Sequence, residues 1–479
     1  MKLIVQKFIL SSFLLLLIPS LCFALLPYDT IWEVRTTGND NNGGGYDNGG
    51  AGTDYSQQDA AQEDWCAAGC NQTNDLASTS ASSWLTLTSA AGGFTAVMVD
   101  NLIHITAGTN FTAGHYEVTA YTNANTVTLD RACGSVGDAS AGTGYLGGAL
   151  ATPQAAADGM VERSNYVFIK AGTYTSAAAQ ILDEKQRYVN WIGYNATRGD
   201  NPHGTDRPFF NGEGARNYGI IADGNGSTGG SWYNFRIDNC VDDCVNNIKS
   251  GNFYNFKVSN CGDYGFDGAT SGNLHAYFVE VATSTDDALD STGGSGSGFQ
   301  TYWSYIHDSS AYGLNVNGDS DFIYSVVESN AGDGVEDSFR IINSIAYNNT
   351  GGTSQGFDEI GSTNLCIGSI AHDNGQYGFR GETAVFKPLF NYNIYEGNGT
   401  AGTNGLTAGD NDSTSDPLFN QPGSGDFTIT AGSPALDASF PYWEWVGLTG
   451  DYKQNIGIDQ DDLTVGGGGG GSAGHVVVF

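Results

Sequence analysis

The chain has 479 residues, 69 glycines, 10 prolines, 15% charged residues and a formal net charge of −34. A surface this acidic repels phosphate backbones and anionic lipid, which excludes nucleic acid as a partner. Abundant glycine and asparagine with few helix formers exclude a helical bundle and suit an all-β chain rich in turns.

Residues 1–24 read as a signal peptide. Lys2 and Lys7 supply a positive end, Phe8 to Leu21 an apolar run, and Cys22-Phe23-Ala24 ends in a small residue. The run is short for a membrane span of ~20 residues. The expectation is a secreted, extracellular or cell-surface protein with no membrane insertion after cleavage. The acidic balance would also repel an acidic polysaccharide unless a cation bridged the two.

Residues 25–145 form a Gly-rich N-terminal segment and a small β-module. The stretch around Asn39 to Gly45 reads as a loop-rich cap or a lead-in. Trp84 to Thr88, His104 to Thr106, Tyr116 to Val118 and Thr126 to Leu129 alternate apolar and polar, which predicts antiparallel strands. Thr152 to Met160 predicts a short helix, with Thr152 as its cap and Pro153 in its first turn. It would cover the open first rung of a repetitive body. Val167-Phe168-Ile169 and Tyr188 to Ile192 are the expected first strands of that body.

Residues 146–409 carry the organising signal. A small residue followed by an apolar one returns at Gly219-Ile220, Cys244-Val245, Gly265-Phe266, Ala288-Leu289, Gly313-Leu314, Gly334-Val335, Gly356-Phe357, Gly378-Phe379 and Gly405-Leu406, about every 23 positions. A drifting period of this size signals a solenoid. Asn234 to Cys240 is matched by Asn255 to Cys261, and looser copies run on to Ile370-Ala371-His372-Asp373. Short alternating strands, polar turns and no helical period describe a parallel β-helix. Rungs ~4.8 Å apart would extend its core by roughly 40 Å. Residues 410–462 break the period and read as a C-terminal closing segment, with Trp443 and Trp445 as shields for the last rung. Residues 463–479 are a glycine-rich tail.

Seven cysteines remain beyond the signal. Cys240 and Cys261 hold equivalent places on adjacent rungs, at a spacing that suits a disulfide. Cys240–Cys244 is a competing pair, and a stack of free thiols a third arrangement.

The chain resembles the right-handed parallel β-helix proteins of the pectate-lyase-like superfamily. The likeness rests on the Gly-apolar coils, on the entry Val167-Phe168-Ile169-Lys170-Ala171-Gly172-Thr173-Tyr174, and on Asp416-Pro417-Leu418-Phe419 through Asn455-Ile456-Gly457-Ile458-Asp459. It implies an all-β, right-handed parallel β-helix over roughly residues 145–462. The superfamily spans polysaccharide lyases, hydrolases, epimerases, adhesins and tailspikes, so fold alone does not choose an activity.

Two outward columns are candidates for chemistry. The residues after each apolar step are Asp267, Asp290, Asn315, Glu336, Asp358 and Arg380. Strand alternation sends Phe266, Leu289, Leu314, Val335, Phe357 and Phe379 inward and this column outward. Stacked carboxylates repel unless a cation lies between them or one is protonated. Asp267, Asp290, Glu336 and Asp358 are therefore candidate Ca²⁺ ligands; an ordinary solvated acidic face is the competing reading. The resemblance to lyases, which pair carboxylate-held calcium with a basic residue, implies Arg380 as the catalytic base. The second column is Arg236, Lys257, Glu280 and Tyr305, with Trp303 beside it. Trp303, Tyr305, Lys257 and Arg236 are candidates for binding a saccharide, whose C–H faces stack on aromatic rings. His307-Asp308 and His372-Asp373 read as turn residues, at the place where other coils carry Asn239, Asn260 and Asn348.

The resulting expectation is a secreted carbohydrate-binding or surface-adhesion β-helix without catalysis, whose partner is a polysaccharide or surface glycan. A Ca²⁺-dependent polysaccharide lyase or epimerase is one alternative. A structural component of a virion or extracellular assembly is another.

Overall fold

Two corners shape each turn of the coil, and both use left-handed backbone. The first holds Asn234, Asn255, Phe278, Trp303, Tyr324, Asn343 and Tyr392 at φ from 46 to 66°. The second holds Asn239, Asn260, Thr283, Asp308, Ser329, Asn348 and Asp373 at φ from 50 to 60°. Asparagine and aspartate tolerate this conformation best, because a short polar side chain can bond locally. That explains the Asn-rich spacing at the second corner. The first corner also takes aromatic residues, which the stacking of neighbours must hold in place.

The computed structural model describes residues 30–61, 72–160, 166–184, 188–222, 228–268, 273–291, 298–316, 320–361, 364–381, 389–436 and 438. The expected signal peptide, Cys66, Cys70, Trp443, Trp445, the Asn455–Asp459 motif and the glycine-rich tail lie outside them. Within them the chain is an all-β parallel solenoid of about nine turns.

Parallel register is continuous from rung to rung. Thr228–Cys240 pairs with Ser250–Cys261, which pairs with Asn273–Ser284 and then with Gly298–Tyr302 and Tyr305–His307. A second sheet stacks Tyr218–Ile221, Val245–Ile248, Phe266–Gly268, Leu289–Ser291 and Leu314–Val316. Phe266, Leu289, Leu314, Val335, Phe357 and Phe379 all lie inside, buried against Trp232, Phe253, Phe256, Phe299 and Phe322 from the facing sheet. The small residue before each of them is required by close approach. A Cβ on Gly313 would stand 2.5 Å from the Gly334 carbonyl, and one on Gly356 2.7 Å from the Gly378 carbonyl.

Polar ladders run inside the coil as well. Asn330 Nδ2 donates to Asn349 Oδ1 at 2.9 Å, Asn349 to Asn374 at 2.9 Å, and Asn374 to Asn398 at 3.0 Å. Ser304, Ser325, Ser344 and Ser369 form a parallel ladder, in which the hydroxyls of the last three each accept from the backbone N–H of the serine before. Buried amides and hydroxyls must be paired in this way, since an unmet one costs about 1–3 kcal/mol.

The N-terminal half departs from expectation. Thr30–Val34 pairs parallel with Tyr166–Lys170, so the coil begins there and not at Val167. The Gly-rich segment is thus no lead-in: Gly45–Asp47 folds back antiparallel on that first strand. The β-module is larger than the alternation suggested. It is a closed antiparallel barrel of Gln72–Ser78, Thr86–Ser89, Leu102–Thr109, Gly114–Asn123, Thr126–Leu129 and Ala139–Leu146. The helix Pro153–Gly159 forms as expected, Thr152 Oγ1 accepting from the Ala155 N–H at 3.2 Å, and it adds Ala156 and Ala157 to the solenoid core.

Two further corrections concern the ends of the repeat. The disulfide joins Cys244 to Cys261, with 5.5 Å between Cα atoms, and Cys240 is a buried free thiol. Cys240 and Cys261 are register partners, whose side chains point the same way in parallel strands. Cys244, beyond the Asn239 corner, faces Cys261 instead. The described part of the closing segment does not close an end. Its hairpin, Phe419–Gln421 with Asp426–Ile429, lies along the outside of the coil, and Phe427 and Ala435 cover the outward Val326, Ile345, Ile370 and Ile394.

A window in the outer face of the long sheet

The second outward column follows the register Phe209, Arg236, Lys257, Glu280, Tyr305, Val326. It is covered at both ends. On one side the loop before Arg207 folds over the first corner, where Asn255 Nδ2 donates to the Pro202 carbonyl at 2.9 Å and Arg207 Nη1 to the Asn255 carbonyl at 2.9 Å. On the other, the C-terminal hairpin covers Val326 onward and brings Gly425 beside the Tyr305 hydroxyl. Between them a window opens on Lys257, whose side chain is 35% exposed.

The window gathers charge. Lys257 Nζ donates to Glu280 Oε1 at 2.7 Å, and His307 Nε2 lies 3.4 Å from the same oxygen. His307 Nδ1 faces Asp308 Oδ2 at 2.8 Å. Burial pushes the Glu280 carboxyl up, but His307 and Lys257 outweigh it and hold it below its ordinary range. Burial pulls His307 down, and its contacts with Glu280 and Asp308 outweigh that and raise it. Arg207 is almost fully buried, and burial brings it down to about 10, against the pull of Glu280 and with the push of Arg236. The Arg236 guanidinium stacks 4.4 Å over the Phe209 ring. Two buried atoms here have no hydrogen-bond partner, Arg236 Nε and Glu280 Oε2.

Of the four residues singled out for saccharide binding, Arg236, Lys257 and Tyr305 share this column. Tyr305 stacks on His307 with centroids 4.2 Å apart, and its hydroxyl donates to Glu328. Burial and Glu328 push that phenol far up, so it stays protonated. Trp303 sits at the corner, stacked between Phe278 and Tyr324 at 5.4 and 5.6 Å and packed against the hairpin. Both faces of its indole are occupied, so it offers no platform to a sugar ring. Sequence reasoning missed His307 and Glu328. The turn explanation fits Asp308 and Asp373, which occupy the left-handed corner, but His307 stands one residue earlier and points out beside Glu280.

The acidic column stacks as its spacing implied: Asp267 pairs with Asp290 and Asp290 with Asn315. Four rungs separate Asp267 from Asp358, roughly 19 Å at ~4.8 Å each, so the four candidate ligands do not meet around one ion. The carboxylates that do converge on this face are Asp242, Asp243 and Asp263, with one oxygen each within 4.8 Å of the others. Burial and then Asp243, Asp290, Asp263 and Asp242 push Asp267 up to about 7; burial and then Glu359, Asp337, Asp358 and Asp287 do the same to Glu336. Asp287 serves the scaffold, accepting from the Tyr312 N–H at 2.8 Å and Asn315 Nδ2 at 2.9 Å. Arg380 is not free to act as a base. It is ion-paired with Asp358, and its Nη2 lies 3.6 Å from Glu359.

No protein-family model and no curated protein matches the sequence. Among solved structures the chain is similar to pectate lyase Pel9A, at 13% identity and a TM-score of 0.39, over 63% of this chain and 89% of that one. It is also similar to the A-module of the Azotobacter vinelandii mannuronan C-5 epimerase AlgE4, at 14% identity and a TM-score of 0.23, over 52% of this chain and 91% of that one. Both are parallel β-helices. What those proteins act on is theirs. No helix among the described residues is long and apolar enough to cross a membrane.

Proposed function

We propose that this is a secreted glycan-binding β-helix that takes an acidic saccharide at the window around Lys257. One observation carries the reading. In a chain of net charge −34, Lys257 and His307 both contact one carboxylate, Glu280, Arg207 interacts with its charge, and Arg236 lies in the same column, with Arg236 Nε and Glu280 Oε2 left without partners. Such a cluster suits a ligand that brings a carboxylate and hydroxyls: the carboxylate meets the cations, and a sugar hydroxyl donates to Glu280 Oε2. The tyrosines Tyr233, Tyr254, Tyr277 and Tyr302 stack from rung to rung beside the cluster, 4.8 to 5.0 Å apart.

Binding without turnover is the better reading because each candidate base is already engaged. Arg380 is tied to Asp358, Lys257 to Glu280, and His307 to Glu280 and Asp308. Calcium belongs to the proposal on the acidic face, where Asp242, Asp243 and Asp263 converge and hard oxygen donors suit it.

The test is a panel of uronate-containing and neutral glycans, with and without Ca²⁺, against wild type and Lys257→Met. Retention of uronate glycans by wild type and their loss in the variant supports the reading. Equal retention by both removes the window as the site. Release of unsaturated product, read by its ultraviolet absorbance, would replace the binder with a lyase.

A further inference from the structure

A second set of carboxylates lies where the barrel meets the coil, far in sequence from the window. Asp47 ends the strand that folds back on the first rung. Asp100 follows the 3-10 turn Ala96–Met98. Glu117 stands in the barrel strand Gly114–Asn123. One oxygen from each lies within 4.8 Å of the others. We infer that these three residues form a divalent-cation site, of the calcium type, that fastens the barrel to the coil.

The second observation is Glu117 itself. It is 5% exposed, and no hydrogen bond or ion pair reaches its carboxylate among the described residues; its backbone N–H alone is engaged, donating to Asp130 Oδ1 at 2.9 Å. The nearest cation, Arg131, is spent elsewhere, on Asp130 at 2.5 Å and on the His115 carbonyl. A buried carboxylate facing two others is costly unless it is protonated or a cation joins them. Burial and then the neighbouring Asp47, Asp130 and Asp100 all disfavour the charge on Glu117. All the converging donors are oxygen, which selects a hard cation over zinc or copper.

The arrangement also explains why these carboxylates gather here. Ile103, Tyr116 and Val118 fill the barrel, while Leu102, His104, His115 and Glu117 point out of it towards the coil. Leu102 joins the coil's core, and His115 packs edge-on against Trp32 at 5.1 Å. The strand end at Asp47 and the loop after Gly50 are both pinned to the turn at Asp100, the Asp47 N–H donating to the Asp100 carbonyl at 2.8 Å and Asp100 Oδ2 accepting from the Ala51 and Gly52 N–H groups at 2.6 and 3.2 Å. A cation between Asp47, Asp100 and Glu117 would bind all three segments at once and would add stability through its affinity for the folded state alone.

The experiment compares Ca²⁺ uptake by the full chain and by Glu117→Gln, using titration calorimetry at neutral pH. Wild type should take up one equivalent more than E117Q, or bind it on the order of tenfold more tightly. The Ca²⁺-induced rise in melting temperature should be smaller in E117Q than in wild type. Equal uptake and an equal rise in wild type and E117Q would overturn the site. If E117Q does not fold, crystals of the wild type soaked in Tb³⁺ decide: an anomalous peak between the three carboxylates supports the inference, and its absence there overturns it.

Discussion

Replacing Phe266 by alanine tests the architecture and the inward assignment together. Phe266 has no exposed surface, and its ring meets Phe253 edge-on at 5.0 Å, Phe299 at 6.1 Å and Phe256 at 6.0 Å. These neighbours come from separate stretches of strand held by parallel register, so the coil cannot collapse around the loss by moving one side chain. Phe→Ala in such a site costs about 3–5 kcal/mol. The edge-on contacts, each worth ~0.5–1.5 kcal/mol beyond area, place the expected loss in the upper part of that range. The assay is urea unfolding followed by far-ultraviolet circular dichroism and tryptophan fluorescence, whose shared transition would also show whether the coil unfolds as a unit. A fall in stability below about 0.5 kcal/mol, within the range of surface substitutions, would refute the placement of Phe266 inside the coil.

The acidic face predicts the sign of the pH dependence. Asp267 and Glu336 are pushed up to about 7, and Asp243 and Asp287 to about 6, above the ~4 of unfolded chains. The folded state therefore binds more protons in this window, and without Ca²⁺ the melting temperature should fall as pH rises from about 4 to 7. His307, raised in the fold, adds to the fall as pH climbs past its folded value. Asp267→Asn with Glu336→Gln should flatten that slope; an unchanged slope would mean the column is freely solvated. Asn349→Ala should cost about 2–3 kcal/mol, because it removes the Oδ1 that accepts from both the side-chain amide and the backbone N–H of Asn330; a neutral result in a denaturant titration would show the ladder to be dispensable. Gly313→Val should destabilise strongly, since its Cβ would meet the Gly334 carbonyl at 2.5 Å, and an unaltered melting curve would contradict that close approach.

The site was legible only in part. The column Arg236, Lys257, Glu280, Tyr305 could be read from strand alternation, because equivalent positions on successive rungs must stack. His307 was hidden by its neighbour. Its pair with Asp308 looks like turn chemistry, and the left-handed corner does belong to Asp308, but which way His307 points depends on Glu280 lying one rung away. Trp303 misled for the opposite reason: nothing local says that Phe278 and Tyr324 occupy both of its faces.

What the sequence alone determined is the coil. Its Gly-apolar steps, its alternating strands and its Asn corners are local demands, imposed by the close approach of one rung to the next and by left-handed backbone. What only the tertiary structure decided is everything joining distant segments. Thr30–Val34 begins the coil by pairing across the whole barrel with Tyr166–Lys170. Cys261 bonds Cys244 and leaves Cys240 reduced. The hairpin at Phe419 lies along the flank, where Val326, Ile345, Ile370 and Ile394 offered it an apolar face. Those choices rest on surfaces that exist only once the rungs are stacked, and no window of residues contains them.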